Sequence, residues 1–133
     1  MLFRSYGIRN DFFYVAEISH SIISGNHTGE VLGYTSPYFS SIVADDYNIF
    51  GHTGVSGTNF PVGATDIVPS VSVTSILDPL LGQHGGPTPN IALVSGSPAV
   101  NAIPSSEPCP TIDQRELPRP GGTLCDIGAF EVQ

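Results

Sequence analysis

Lysine and tryptophan are absent from this chain, methionine occurs once and cysteine twice. The only cationic side chains are Arg4, Arg9, Arg115 and Arg119, and none lies between residues 10 and 114. Twelve carboxylates against four arginines leave a formal net charge of −8. Such a surface repels phosphate backbones and anionic lipid, so nucleic acid is not an expected partner. Strong helix formers are also scarce: Ala, Leu, Glu, Gln, Arg and Met together make 28 of 133 residues. That argues against a helix bundle and against an α/β layer fold with long crossover helices. No stretch approaches the roughly 18 apolar residues of a membrane span. The first residues, with Arg4, Arg9, Asn10 and Asp11, lack the apolar run of a secretory signal.

What is present points to β structure with many turns. Leu, Ile, Val and Phe number 38, enough to build a core. Gly, Pro and Ser number 42, which makes the chain rich in loops. Residues 11–26 form a β-rich stretch closed by Gly25-Asn26, and similar phrases follow in Asp46-Tyr47-Asn48-Ile49-Phe50-Gly51-His52 and Pro69-Ser70-Val71-Ser72-Val73-Thr74. Aligning Ile22, Ile49 and Val71 gives spacings of 27 and 22 residues. These fall among solenoid periods, and each phrase is too short to bury a face alone. A β-sandwich with strands every 8–12 residues fits the same spacing.

From Asp78 the texture changes. Nine of the twelve prolines lie between Pro79 and Pro120. Proline lacks an N–H and fixes φ, so this segment is not central strand. The division expected is 1–77 and 78–133. Short apolar pieces, Ile76-Leu77, Leu80-Leu81, Ile91-Ala92-Leu93-Val94 and Ile127-Gly128-Ala129-Phe130, read as anchors for an irregular wrap.

The run Asp78-Pro79-Leu80-Leu81-Gly82, Gly85-Gly86-Pro87-Thr88-Pro89, Ala92-Leu93 and Gly96-Ser97-Pro98-Ala99-Val100 resembles the end of bacterial surface right-handed parallel β-helix proteins. These carry the choice-of-anchor Q domain. The likeness continues through Asp113-Gln114-Arg115, Arg119-Pro120 and Cys125-Asp126-Ile127-Gly128-Ala129-Phe130-Glu131. It departs at Gln83-His84, at Glu116 and at Val100-Asn101-Ala102-Ile103. The resemblance implies an all-β fold: the last few coils of a right-handed parallel β-helix, then an irregular Pro/Gly-rich C-terminal cap. It implies a secreted or cell-surface protein, and a parent with an export signal and more coils upstream. Those coils would then be the partner of this segment, with a surface glycan or protein as a further one. The segment around Leu2, Phe3, Phe12, Phe13 and Tyr14 would cover the face left towards them poorly, so weak stability or oligomerisation is expected of residues 1–133 alone.

Candidate sites are few. Asp45-Asp46 followed by Gly51-His52 is similar to the aspartates and Gly-His of β-helix polygalacturonases. Inverting glycosidases need two carboxylates roughly 6.5–9.5 Å apart. Neighbouring strand residues point to opposite faces, and no basic clamp follows before Arg115, so a solvated turn is expected instead. His20, His27, His52 and His84 lack metal-ligand spacing, and no metal or cofactor is expected. Asp45, Asp46, Asp66, Asp78, Asp113 and Asp126 offer calcium ligands without the spacing of a calcium loop. Gly54-Val55-Ser56-Gly57-Thr58 fails the nucleophile-elbow pattern at its last position. Asp113, Arg115, Arg119 and Asp126 are expected to form a structural polar network, because a wrap without ladders must satisfy its backbone otherwise. Given the resemblance to exported proteins, a disulfide between Cys109 and Cys125 is expected to staple this loop. The function expected is a non-catalytic capping segment, adhesin-like at most. The alternative is a carbohydrate-active enzyme of the pectin-degrading β-helix type.

Overall fold

The computed structural model describes residues 6–10, 14–33, 35–36, 39–40 and 42–133. Leu2, Phe3, Arg4, Phe12 and Phe13 lie outside the described residues. Among the described residues strands dominate the regular structure and the longest helical piece is a single 3₁₀ turn, Val73–Ser75, so the fold is all-β. Among the described residues no helix is long and apolar enough to cross a membrane. The chain divides into two compact units, Met1–Val71 and Ser72–Gln133.

The first unit is built from short β-strands joined by tight turns. In chain order these are β1 Tyr6–Asn10, β2 Ala16–Ile18, β3 Ile22–Ile23, β4 Gly29–Gly33, β5 Thr35–Ser36, β6 Phe39–Ser40, β7 Ile42–Ala44 and β8 Ile49–Phe50. Three pairs are parallel and repeat in order: β1 with β4, β2 with β7, β3 with β8. Parallel partners cannot be joined by a two-residue hairpin, so the chain makes a full circuit between them. Among the described strands, β5 and β6 pair antiparallel.

Ile22 pairs with Ile49, as the spacing predicts, and Ile49 pairs again in parallel with Ile67. The third member of this column is therefore Ile67 and not Val71. The last circuit is shorter than the alignment assumed. Val71 lies past Pro69, is 40% exposed, and contributes its carbonyl to the Thr53 N–H.

Inside the circuits Ile18, Ile23, Val31, Ile42 and Phe50 pack as one buried cluster, with Phe60 and Val62 against it. Phe50 meets Phe60 edge to face at 6.1 Å between ring centres. Tyr14 is 82% exposed. Gly51 ends β8 with φ +68, and a side chain there would run into the Val55 carbonyl. Only glycine takes that turn without strain.

Asn48, fully buried, ties three circuits together. Its Oδ1 accepts from Ser21 N at 3.0 Å, and its Nδ2 donates to Ile18 O at 3.0 Å and to Asp66 Oδ1 at 2.9 Å. Asp66 Oδ1 also accepts from Asn48 N at 2.9 Å.

The second unit has no strand of two or more residues. Its pairing is limited to single antiparallel bridges, Leu77 with Leu93, Gly82 with Asn90, Ile103 with Cys125 and Ile112 with Pro118. Ile76, Leu93, Ala99, Ile103, Cys125 and Ile127 are buried. Leu80 and Leu81, expected as anchors, are instead 72% and 67% exposed. Asp78 Oδ1 accepts from Leu80 N at 2.8 Å, and this local turn swings both leucines outward. Leu77 bridges Leu93 inside this unit, so the division falls at Val71/Ser72, upstream of 77/78.

Candidate functional site

Proline-rich backbone must find hydrogen bonds outside ladders, and in the second unit it finds them on charged side chains. Asp113, 6% exposed, accepts four bonds. Its Oδ1 takes Arg115 N at 2.7 Å and Leu117 N at 3.2 Å, and its Oδ2 takes Arg115 Nε at 2.8 Å and Glu131 N at 3.2 Å. Burial pushes the Asp113 carboxyl up. The Arg115 guanidinium and the N–H groups of Glu131, Arg115 and Leu117 outweigh it and hold the carboxyl below the usual range.

Arg115 also donates from Nη2 to the Glu131 carbonyl and lays its guanidinium over the Phe130 ring, 3.7 Å from its centre. Gly86 packs directly on the Arg115 backbone with φ +82, a close approach that a Cβ would block. Asn90 holds the same loop, its Nδ2 donating to Gly85 O at 3.1 Å.

Arg119 faces the other carboxylate. Its Nε donates to Glu131 Oε2 at 2.9 Å, its Nη1 to Gly128 O at 3.0 Å and its Nη2 to Asp126 O. Glu131, wholly buried, also accepts from Gly121 N at 2.9 Å and Asp126 N at 3.0 Å. Asp126 accepts from Asn101 N and Val132 N, both at 2.7 Å. Asp113, Arg115, Arg119 and Asp126 thus share one knot, and Glu131 is its centre. The sequence reading omitted Glu131, although Arg119 needed a carboxylate partner and Glu131 ends the Cys125–Glu131 phrase. Cys109 and Cys125 are bonded, with Cα atoms 6.4 Å apart.

The aspartate pair of the first unit points to separate partners. Asp45 Oδ1 accepts from Thr65 N at 2.9 Å and Thr65 Oγ1 at 2.8 Å, which holds its carboxyl below the usual range. Asp46 Oδ1 lies 3.6 Å from His20 Nε2. Thr65 lies on the following circuit and His20 on the preceding one, so the two side chains reach opposite ways along the stack. Among the described residues no group of three His, Cys, Asp or Glu side chains is placed to hold a metal.

One cavity in this unit went unnoticed in the sequence. It measures about 300 Å³ and is lined by Asn26, His27, Thr28, His52, Thr53 and Val55, with Glu30 among the walls. Glu30 is 3% exposed and clamps the preceding turn, accepting from Gly25 N at 2.8 Å, Asn26 N at 3.2 Å and Asn26 Nδ2 at 2.6 Å. Its Oε1 lies 3.9 Å from His52 Nδ1. The sequence signal was slight, a glutamate four residues after an asparagine.

The chain matches no family model, no curated protein and no solved structure.

Proposed function

We propose that this chain is a non-catalytic structural segment of a secreted or cell-surface protein: terminal coils of a right-handed parallel β-helix, followed by an irregular cap of the choice-of-anchor Q type. The observation that carries the reading is the ordered repeat of parallel pairs, with the column Ile22–Ile49–Ile67 running through it. Stacked circuits bury a continuous core that no single circuit could build. The second unit supports the capping role. Its polar backbone is consumed by Asp113, Arg119, Asp126 and Glu131, so it offers few open edges for further strands. The natural neighbours of such a segment are further coils of the same stack. The Cys109–Cys125 bond supports an oxidising, extracytoplasmic setting.

The competing reading, a carbohydrate-active enzyme, gains nothing from Asp45 and Asp46, whose side chains are held by partners on different circuits. The test is to incubate residues 1–133 with pectin, alginate and xylan and measure reducing ends and unsaturated products. None is expected. Product release that Asp45→Ala or Asp46→Ala abolishes would overturn the structural reading. Strand order is checked separately by cross-linking. Glu17 and Val43 face each other in the β2–β7 register, so Glu17→Cys with Val43→Cys should oxidise to a bridge.

A further inference from the structure

The cavity beside Glu30 joins three observations: a strained threonine, a lining of neutral polar groups, and a buried carboxylate whose oxygens are already taken. The loop after β8 uses glycine in the left-handed region at Gly51, Gly54 and Gly57, yet position 53 in the same loop holds threonine at φ 52. A β-branched residue there is a genuine outlier, and such strain clusters at ligand sites. Backbone bonds impose the conformation: Thr53 N donates to Val71 O and Gly54 N to Pro69 O, both at 2.8 Å. The Thr53 hydroxyl donates to His52 O at 2.7 Å, which leaves its lone pairs free to accept. Glycine would hold this turn at lower cost, so the side chain is what threonine adds. It stands at the wall of the cavity.

The lining selects the ligand class. Thr28 and Thr53 present hydroxyls, Asn26 an amide, His27 and His52 imidazoles, and Val55, 65% exposed, an apolar face. No lysine or arginine lines the cavity, and Glu30 adds negative charge behind it, so anions are disfavoured. Because Gly25 and Asn26 occupy the Glu30 oxygens, that carboxylate sets the wall and needs no cation. A volume of about 300 Å³ sits at the lower end for small-molecule sites. We infer that this cavity binds a single neutral sugar residue, its hydroxyls taken by Thr28, Thr53, Asn26 and the two imidazoles, and its C–H face by Val55. The inference stands apart from the capping role: polysaccharide cleavage would sink that role and leave this site untouched.

The test is a titration of the full chain with the methyl glycosides of glucose, galactose, mannose and N-acetylglucosamine. The readout is the ring C–H resonances of the histidines. At least one glycoside should shift His27 and His52 saturably and leave His84, in the other unit, unmoved. Trigalacturonate, the anionic control, should shift neither. Thr53→Gly should raise Tm by relieving the strain and weaken binding roughly tenfold, the worth of one hydrogen bond. Thr28→Val, at an exposed position, should weaken binding with Tm unchanged. Absence of saturation with all four glycosides, equal binding of trigalacturonate, or a Thr53→Gly protein that is stabilised yet binds normally would each overturn the proposal.

Discussion

Arg119 and Glu131 form an ion pair with side chains 4% and 0% exposed, Nε to Oε2 at 2.9 Å. Desolvating two charges is costly, and their attraction compensates only when every remaining donor and acceptor is satisfied. Here further hydrogen bonds offset much of that cost, because Arg119 also holds Gly128 O and Asp126 O while Glu131 holds Gly121 N and Asp126 N.

Arg119→Ala should therefore destabilise the second unit by roughly 3–5 kcal/mol, since it strands a buried carboxylate. Arg119→Lys should rescue little, because an ammonium lacks the planar fork that spans three acceptors. Chemical denaturation followed by a probe in residues 72–133 checks both. A loss under about 1 kcal/mol, the range of exposed pairs, would show the pair to be incidental.

Asn48 is the corresponding tie of the first unit. Asn48→Ala leaves Ser21 N and Ile18 O without their partner and deprives Asp66 of one donor. A cost of about 1–3 kcal/mol is expected for each backbone group left buried and unpaired. Asn48→Asp should not rescue, because a carboxylate cannot donate to Ile18 O and would stand beside Asp66. Hydrogen exchange of the Ile49 amide, bonded to Ser21 O at 2.8 Å, should accelerate in both variants.

Acid should loosen the second unit through Asp113. Its carboxyl is held below the ordinary value of 3.8, so its ionised form stabilises the fold above about that pH. The contribution is fully present at neutral pH and is lost as pH falls through the lowered folded value. Thermal unfolding between neutral pH and pH 2 should show this loss, and Asp113→Asn should flatten the acid limb while lowering Tm at pH 7. An unchanged acid limb in Asp113→Asn would assign the loss to other carboxylates.

Reducing the Cys109–Cys125 bond opens a loop with a sequence separation of 16. The chain-entropy model gives a cost of roughly 3 kcal/mol for a loop of that size. Cys109→Ser with Cys125→Ser should therefore lower Tm but leave the knot formed, because residues 113–131 are tied by side chains on both sides of Cys125. Loss of all cooperative unfolding in that double variant would show that the staple, and not the knot, shapes this unit.

The β character, the turn density and the change of texture near Asp78 were legible in the residues, because composition and proline placement act locally. So was the Ile22–Ile49 column, since in both phrases a pair of apolar residues is followed within two positions by glycine. Asp113, Arg115, Arg119 and Asp126 could be named as a set because a proline-rich wrap with two arginines has few other ways to satisfy its backbone. Tertiary structure alone decided that Ile67, not Val71, continues the column, because a coil's length depends on the turns between its strands. It also decided that Leu80 and Leu81 face outward, that Glu131 centres the knot, and that the turn at Asn26 meets the loop at Thr53 to line an open cavity. Apart from the two leucines, which a local turn at Asp78 directs, each of these joins residues far apart in sequence, and no periodicity encodes how a chain without regular ladders returns to itself.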